Sequence, residues 1–356
     1  RGSGVSGRIV QAGLAAIVVD DGPGEYRAAA IDSAGRPWHL FMERWGGIGQ
    51  ASRYGQILPA RFRVMADNGR DGFVELESGE SALIRLQKGQ KFVEGEAVTV
   101  QIRAEARRDK IARVAIASPG HDQTGFDLWK SNLPGHDGLS IIEDRACLDA
   151  GFQDVLAETA TLAGGGAVHI QRTRAFIAAD IDSAGRQGRG SAGAKALSLN
   201  CDAVTEIARQ VLCRGLGGTL VIDCPGPTGR TSADKISDTL RAAFANMSTR
   251  QSRVLQMSAI DLLQATIEWT GCPIEDQVLD ACGVPTAETQ FLQLLRDARR
   301  EAEAMPAQFF SLDLSPDIYT FYKQNRQLCD SVIQSCFGGR VQIGHGEKMT
   351  PVLRRR

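Results

Sequence analysis

Apolar and polar positions change their period several times along the chain, and each change marks an element. Residues 164–223 carry the clearest pattern. Three glycines, Gly164, Gly165 and Gly166, open onto AVHIQRTRAFIAADIDSAG, two apolar, β-branched runs broken at Thr173. Runs of this kind read as strands. A loop rich in glycine and arginine follows at 185–190. A 3.6-residue period over 192–213 then predicts a long amphipathic helix, and Gly217 and Gly218 lead into the buried-strand run TLVID. Two predicted strands therefore end in aspartates, Asp180 and Asp223, with one helix between them. In an open α/β sheet the carboxyl ends of strands face the ligand crevice. The pattern predicts paired carboxylates at one site, suited to a hard cation or to acid–base chemistry. Each aspartate taken alone reads as readily as a turn former or a helix cap.

The remaining elements follow from the same periods. Over 7–45 the runs RIVQAG, AAIVVDDG and YRAAAIDSAG, with a turn at 33–35, predict a β-meander too small to stand alone. Over 55–118 five short strand-like runs separated by glycine turns predict a small Greek-key barrel of the OB class. Residues 119–140 read as a linker or surface loop with an apolar anchor at Phe126, Leu128 and Trp129. A helix is expected over 139–162, with Ile141, Ile142, Leu148, Phe152, Val155 and Leu156 on its apolar face. After Asp223 the pattern predicts a turn, a helix over 232–246, a strand over 253–258 and a helix over 261–269, DLLQATIEW. From 286 it reads helix, strand, helix, helix, strand, a small α/β appendage. Ser315 and Pro316 open one of its helices and Gly338 with Gly339 closes the next.

Composition adjusts this picture modestly. A chain of 356 residues exceeds one compact core and reads as two or three domains. With 41 basic against 42 acidic residues, overall charge argues neither for nor against a nucleic-acid partner. Local charge says more: Arg103, Arg107, Arg108, Lys110 and Arg113 stand against only Glu105 and Asp109 on the last barrel strands. That is a patch to track a nucleic-acid backbone, with Phe73 as a base-stacking aromatic. It is equally an edge strand guarded by basic side chains; the pattern alone leaves both readings open. The eight cysteines have no framework spacing, and there is neither a secretory signal nor an apolar run near 18 residues. A protein of the reducing cytoplasm without membrane contact is expected. The opening Arg1-Gly2-Ser3-Gly4 carries no weight in the fold. His121 and His136 lack a second ligand at a zinc spacing and read as loop residues. No Gly-x-Gly-x-x-Gly follows the first strand, which counts against a Rossmann-like nucleotide enzyme.

The segment AFIAADIDSAG…NCDAVTEIARQVLCRGLGGTLVID resembles the core of the ribonuclease E/G family. That core has an Asp-x-Asn-Ser/Thr strand end, an Asn-Leu-Glu-Ala-Ala-x-Glu-Ile-Ala-Arg-Gln helix, and an Arg-x-Leu-Gly-Gly turn running into Val-Ile-Asp. Order and spacing agree throughout. GFVELESGESALI with EGEAVTVQIRAEARRDK resembles the family's OB domain, the strand VHIQRTRAF its RNase H-like piece, and FLQLLRDARREA…SPDIYTFYKQNRQ…VQIGHGEKMTP its small domain. The resemblance implies a mixed α/β and β multidomain fold. A discontinuous RNase H-like subdomain (1–48 and 139–178) would hold an inserted OB-fold barrel (49–118). A linker (119–138) stands in place of the family's 5′-monophosphate sensor. A DNase I-like α/β catalytic subdomain (179–270), a second linker (271–285) and a small α/β domain (286–356) would follow.

The activity it implies is a Mg²⁺-dependent endoribonuclease that cuts single-stranded RNA to 5′-phosphate and 3′-hydroxyl ends in RNA processing or decay, such as rRNA maturation or mRNA turnover. Asp180 and Asp223 would hold the Mg²⁺, with Mn²⁺ as a substitute, and Asp182 would stand beside them. Phe73, Arg107, Lys110, Arg186 and Arg189 are the expected RNA contacts; Lys110 matches a basic position of the family's barrel. Asn200, Glu206, Arg209 and Arg214 read as residues that hold the helix. Three departures bear on this. The sensor region is reduced to 119–138, so 5′-end recognition there is not expected. Cys272-Pro273 is followed by a cysteine only at Cys282, where the family has a Cys-Pro-x-Cys zinc link. These two read as ordinary cysteines in preference to a zinc shared across a homodimer. Asp182 replaces the usual asparagine, and QATIEWTG after Asp261 replaces an arginine-rich motif. The missing sensor and the altered 261–271 segment support the alternative of a weakly active or inactive RNA-binding factor, for example in ribosome assembly.

Overall fold

The computed structural model describes residues 13–45, 52–66, 68–87, 89–108, 110–120, 123–186, 190–226, 229–346 and 352–355. The expected strand RIVQAG lies outside them. The chain divides into two compact units: 1–18, 29–41 and 51–274 form the first, and 19–28, 42–50 and 275–356 the second. Strands β1 (Leu14–Gly22), β2 (Glu25–Asp32) and β3 (Pro37–Arg44) contribute residues to both units. They form a four-stranded sheet with β9 (Ser140–Glu143), in the order β3-β2-β1-β9.

In the first unit, β4 (Ile57–Met65), β5 (Asp71–Leu76), β6 (Ser81–Arg85), β7 (Ala97–Ala104) and β8 (Ala112–Ile116) close into a barrel in the order β4-β5-β6-β8-β7. Alternate residues fill its interior, among them Ala60, Phe62, Val74, Leu76, Ile84, Val100, Ile102 and Val114. Gly72 makes room for the Phe62 ring: a Cβ there would lie 2.6 Å from it. The expected five-stranded barrel is thus present and fits an OB-like fold. The next segment is a short helix, α1 (Gly125–Ser131), capped by Thr124, whose hydroxyl accepts from the Asp127 amide at 3.1 Å. Phe126 and Trp129 stack around Phe41, with ring centroids 6.0 and 5.5 Å away.

The helix expected over 139–162 is instead β9, helix α2 (Arg145–Asp154) and β10 (Thr159–Thr161). Asp144 explains the break, since its carboxylate caps α2 by accepting from the Cys147 amide at 3.0 Å. Ile141 and Ile142 consequently lie exposed on an edge strand and not on a helix face.

A six-stranded sheet follows in the order β10-β11-β12-β13-β15-β14, with β11 (Ala167–Arg172), β12 (Ile177–Asp182), β13 (Gly218–Asp223), β14 (Ser252–Val254) and β15 (Leu262–Ile267). The strand VHIQRTRAF is part of this sheet, where β11 pairs with β12. Only β12 and β13 run parallel, and helix α3 (Ala192–Cys213) joins them. Helix α3 and helix α4 (Arg230–Met247) cover one face of the sheet. Val204, Ile207, Val211, Ile236, Leu240 and Phe244 meet Val168, Ile170, Ile177, Leu220, Ile222 and Leu263 there. Alternate residues of the same strands point the other way, as period two requires.

The helix expected over 261–269 is strand β15, and β14 ends at Val254. Leu263, Ala265 and Ile267 alternate into the core, while β15 pairs with β13 on one side and β14 on the other. Its β-branched Thr266 and Ile267 suit that setting. Asp261, at φ 58°, turns the chain immediately before it.

In the second unit, helices α5 (Ala287–Ala304), α6 (Pro316–Gln324) and α7 (Arg326–Phe337) pack on a sheet of β16 (Phe310–Leu314), β17 (Val341–His345) and β18 (Val352–Arg355), ordered β17-β16-β18. Phe291, Leu295, Phe310, Leu312, Ile318 and Ile333 form its core. Charged groups from the amino-terminal strands are built into the same unit. Buried Glu25 pairs with Arg44 at 3.0 Å and Arg296 at 2.6 Å, and Asp20 pairs with Arg27 and Arg299, each at 3.2 Å. Among the described residues, no helix is long and apolar enough to cross a membrane.

Candidate active site

The face of the six-stranded sheet away from α3 and α4 carries the candidate chemistry. Along β12, Ile177, Ala179 and Ile181 are buried and Asp180 and Asp182 are exposed. Along β13, Leu220 and Ile222 are buried and Asp223 is exposed. Asp180 is in register with Asp223 on the parallel neighbour. The two carboxylates therefore stand side by side on one face, on strands about 4.8 Å apart. Neither has a hydrogen-bond or ion-pair partner among the described residues. Pairing continues outward: His169 is opposite Asp180, Thr159 opposite His169, and Leu262 opposite Asp223. Thr159, His169, Asp180, Asp223 and Leu262 make one row across the sheet.

The glycines of 164–166 shape the turn that follows Asp182. One Asp182 carboxylate oxygen accepts from the Ala184 amide at 2.8 Å, closing an Asx turn. Gly165, at φ 83°, is pressed against this turn; a Cβ there would lie 2.2 Å from the Gly185 carbonyl oxygen. Arg186 is part of the same packing. Its guanidinium donates to Asp202 at 2.5 Å, to Ser198 at 2.7 Å and to the Gly165 carbonyl at 3.3 Å. Only 10% of its side chain is exposed, so this arginine fastens the turn to α3 and does not extend toward a ligand. Arg189 lies outside the described residues.

On the other strand, Asn200 of α3 donates to the Pro225 carbonyl at 3.1 Å and steadies the chain beyond Asp223. Cys224 is buried next to that aspartate. Burial, reinforced by the charges of Asp223 and Asp261, pushes its thiol up to about 12, which removes it as a nucleophile. Arg209 donates to Asp154 at 2.5 Å, Glu206 at 2.6 Å and the Pro37 carbonyl at 3.0 Å. Arg214 binds Gln210 at 2.9 Å and the Ala157 carbonyl at 2.7 Å. These side chains hold α3 in place, the role expected of them.

The barrel contributes to the same unit. Lys110 is exposed at the end of a tight hairpin in which Arg107 and Lys110 exchange backbone hydrogen bonds of 2.9 and 3.0 Å. The Arg107 guanidinium lies 4.1 Å from the Trp269 ring centroid, and Arg172 lies 5.7 Å from it. Gly217 and Gly218 give the indole its space, since a Cβ at either would come within 2.9 or 3.0 Å of it. Buried Glu105 accepts from the Tyr54 and Cys272 amides, both at 2.9 Å, tying the barrel strand to the chain after β15. Phe73 is half-exposed on the barrel's outer face, opposite Leu83.

His169 and Trp269 escaped the sequence pattern. Alternation in VHIQ puts His169 on an outer face, but only strand pairing brings it beside Asp180. Cys272 is half-buried and Cys282 is exposed in a turn closed by Asp280. Among the described residues no three His, Cys, Asp or Glu side chains gather closely enough to hold an ion by themselves. Two unpartnered carboxylates in register do fit Mg²⁺, which takes one or two carboxylates and completes its shell with water and substrate phosphate.

These features define a multidomain α/β protein with an OB-like barrel and an acidic pair on an open sheet face. Residues 96–269, from the last barrel strands to just past β15, match the ribonuclease E/G family, which supports membership of that family. Ribonuclease G of Escherichia coli K12 is 24% identical over 220 residues, covering 60% of this chain and 45% of the relative. Ribonuclease E of a Nostoc species is 26% identical over 147 residues, 41% of this chain and 21% of the relative. Ribonuclease E of Haemophilus influenzae is 34% identical over 179 residues, 46% and 19%. The matched part of this chain spans less than half the length of Ribonuclease G.

Proposed function

We propose that this protein is an endoribonuclease that cuts single-stranded RNA to 5′-phosphate and 3′-hydroxyl ends, using Mg²⁺ or Mn²⁺ held by Asp180 and Asp223, in cytoplasmic RNA maturation or turnover. The observation that carries the proposal is the in-register pair of exposed carboxylates without hydrogen-bond or ion-pair partners among the described residues. Adjacent like charges on a sheet are unfavourable, and a divalent cation relieves them. When bound, the ion polarises the scissile phosphate and lowers the pKa of an attacking water.

The chain's own residues bind and orient. Asp180 and Asp223 would hold the ion on the sheet's open face, and Asp182 keeps an oxygen for solvent or substrate beyond its turn contact. Exposed Lys110, with Arg107 on its hairpin, neutralises the RNA backbone, and Phe73 offers a stacking surface. The same reading takes the strand pair β12 and β13 with α3 as a DNase I-like catalytic subdomain. The barrel is then an insert in an RNase H-like one.

A second reading, an RNA-binding factor with weak cleavage, has a specific motive. Trp269 stands where the family carries arginines and is enclosed by Arg107 and Arg172, and Arg186 is committed to the turn. Three arginines of this unit thus have partners within the protein. The two readings separate when wild type and an Asp180→Asn/Asp223→Asn double variant meet a labelled, unstructured A/U-rich RNA with Mg²⁺ or EDTA. Cleavage by wild type with Mg²⁺ alone supports the enzyme; no cleavage over long incubation, or equal cleavage by the variant, sinks it.

A further inference from the structure

The row across the open face sets His169 between Thr159 and Asp180. Its Nδ1 lies 2.8 Å from the Thr159 hydroxyl, and the ring is partly exposed on the carboxylates' face. When that hydroxyl donates to Nδ1, the neutral imidazole carries its proton on Nε2. The imidazole is not gathered with the carboxylates as an ion ligand, because no such group of three exists among the described residues. In that tautomer, what stands one strand from the Asp180 carboxylate and two strands from that of Asp223 is a hydrogen-bond donor. A phosphodiester bound at Asp180 and Asp223 presents non-bridging oxygens that carry charge and need donors. Cross-strand partners have Cβ atoms about 5 Å apart, so an imidazole on β11 spans the gap to such an oxygen.

We infer that His169 contacts the substrate, its Nε2–H donating to a non-bridging oxygen of the RNA phosphate bound at Asp180 and Asp223, with Thr159 as the positioning residue that keeps the proton on Nε2. The inference deepens the ribonuclease reading and rests on it. It adds an oriented donor to a site whose other groups are carboxylates, a contact that the aspartates cannot supply. His169 lies before the segment AFIAADIDSAG…TLVID, whose motif carries the strongest resemblance to the family.

The test compares wild type with His169→Ala, His169→Gln and Thr159→Val, measuring cleavage of a short single-stranded RNA with Mg²⁺ and, separately, Mn²⁺ affinity of the protein alone. Loss of one hydrogen bond to a charged group lowers kcat/KM about 10- to 100-fold in His169→Ala. Gln, whose amide reaches the Nε2 position, restores most of it, and Thr159→Val falls between Ala and wild type. Mn²⁺ affinity stays within about threefold of wild type throughout, less than the loss of an ion ligand would cost. An active wild type with an equally active His169→Ala overturns this contact and leaves the ribonuclease reading intact. A loss of Mn²⁺ affinity beyond about tenfold in His169→Ala makes the histidine an ion ligand and overturns it too. Folded His169→Gln no better than His169→Ala removes the donor role, and Thr159→Val as fast as wild type removes the positioning role. A wild type that cuts no RNA overturns both readings together.

Discussion

At the scale of single residues, Asp180 and Asp223 look built for something other than stability. Two exposed carboxylates in register repel one another, and neither is compensated by a nearby described cation. Asp180→Asn is accordingly expected to leave the ion-free protein as stable as wild type or more stable by about 0.2–1 kcal/mol, while abolishing cleavage. Urea unfolding in EDTA checks the first half; a loss above that range would mean that the pair is structural. His39 behaves in the opposite way. Its Nε2 lies 2.6 Å from the Met247 carbonyl oxygen, and burial lowers the imidazole from 6.5 to about 4. The unfolded chain therefore binds the proton first on acidification. Stability from this site is complete above pH 6.5, falls below it, and is lost as pH drops through about 4, up to about 3 kcal/mol in all. His39→Gln should flatten the stability profile across that window, as followed by unfolding at a series of pH values.

At the scale of elements, the turn after β12 depends on glycine for two reasons, a positive φ and a close approach. Gly165 shows both, whereas Gly35 has φ 78° with open space around it. Gly35→Ala should cost about 1–2 kcal/mol, the penalty of a left-handed residue alone. Gly165→Ala should cost distinctly more, because its Cβ meets backbone that cannot rotate away. Denaturant midpoints of the two variants compare them directly, and equal losses would show that the turn yields.

The same scale shows what was legible in the sequence. The barrel strands, β12, α3 and β13 were legible because their periods are strong and their ends are marked by glycine, serine and aspartate. Strand β15 was not. LLQATI offers adjacent leucines that suit a helix as well as a strand, and the choice is made by β13 and β14, which flank it in space. The partners of Arg186 were hidden for a related reason. Its partners Ser198 and Asp202 lie 12 and 16 residues on, across a loop, on the next helix. His169 was hidden because register between antiparallel strands is a tertiary property, whereas the Asp180 and Asp223 strand ends could be read locally.

At the scale of the molecule, the first unit joins an OB-like barrel to a sheet with an acidic face, and the joint is specific. Glu105 accepts two amides and lies 3.7 Å from Arg53, while Trp269 is held between the barrel hairpin and the Gly217-Gly218 turn. Glu105→Ala leaves the Tyr54 and Cys272 amides without their acceptor, and each costs about 1–3 kcal/mol if it stays buried. Faster amide exchange at Tyr54 and Cys272 than in the barrel core is expected in that variant. Unchanged protection would assign the joint to Trp269 alone. With 119–138 reduced to α1 and its flanking turns, 5′-triphosphate and 5′-monophosphate RNAs should be cut at similar rates.

In the proposed reaction one divalent ion, held jointly by Asp180 and Asp223, is the ion used for cutting RNA. It is tested most directly by titrating Mn²⁺ into wild type, Asp180→Asn and Asp223→Asn and assaying cleavage on the same samples. Wild type should bind the ion and cut, and each single variant should lose both together. A variant that no longer binds the ion yet still cuts, or a wild type that cuts as well in EDTA, would contradict the claim.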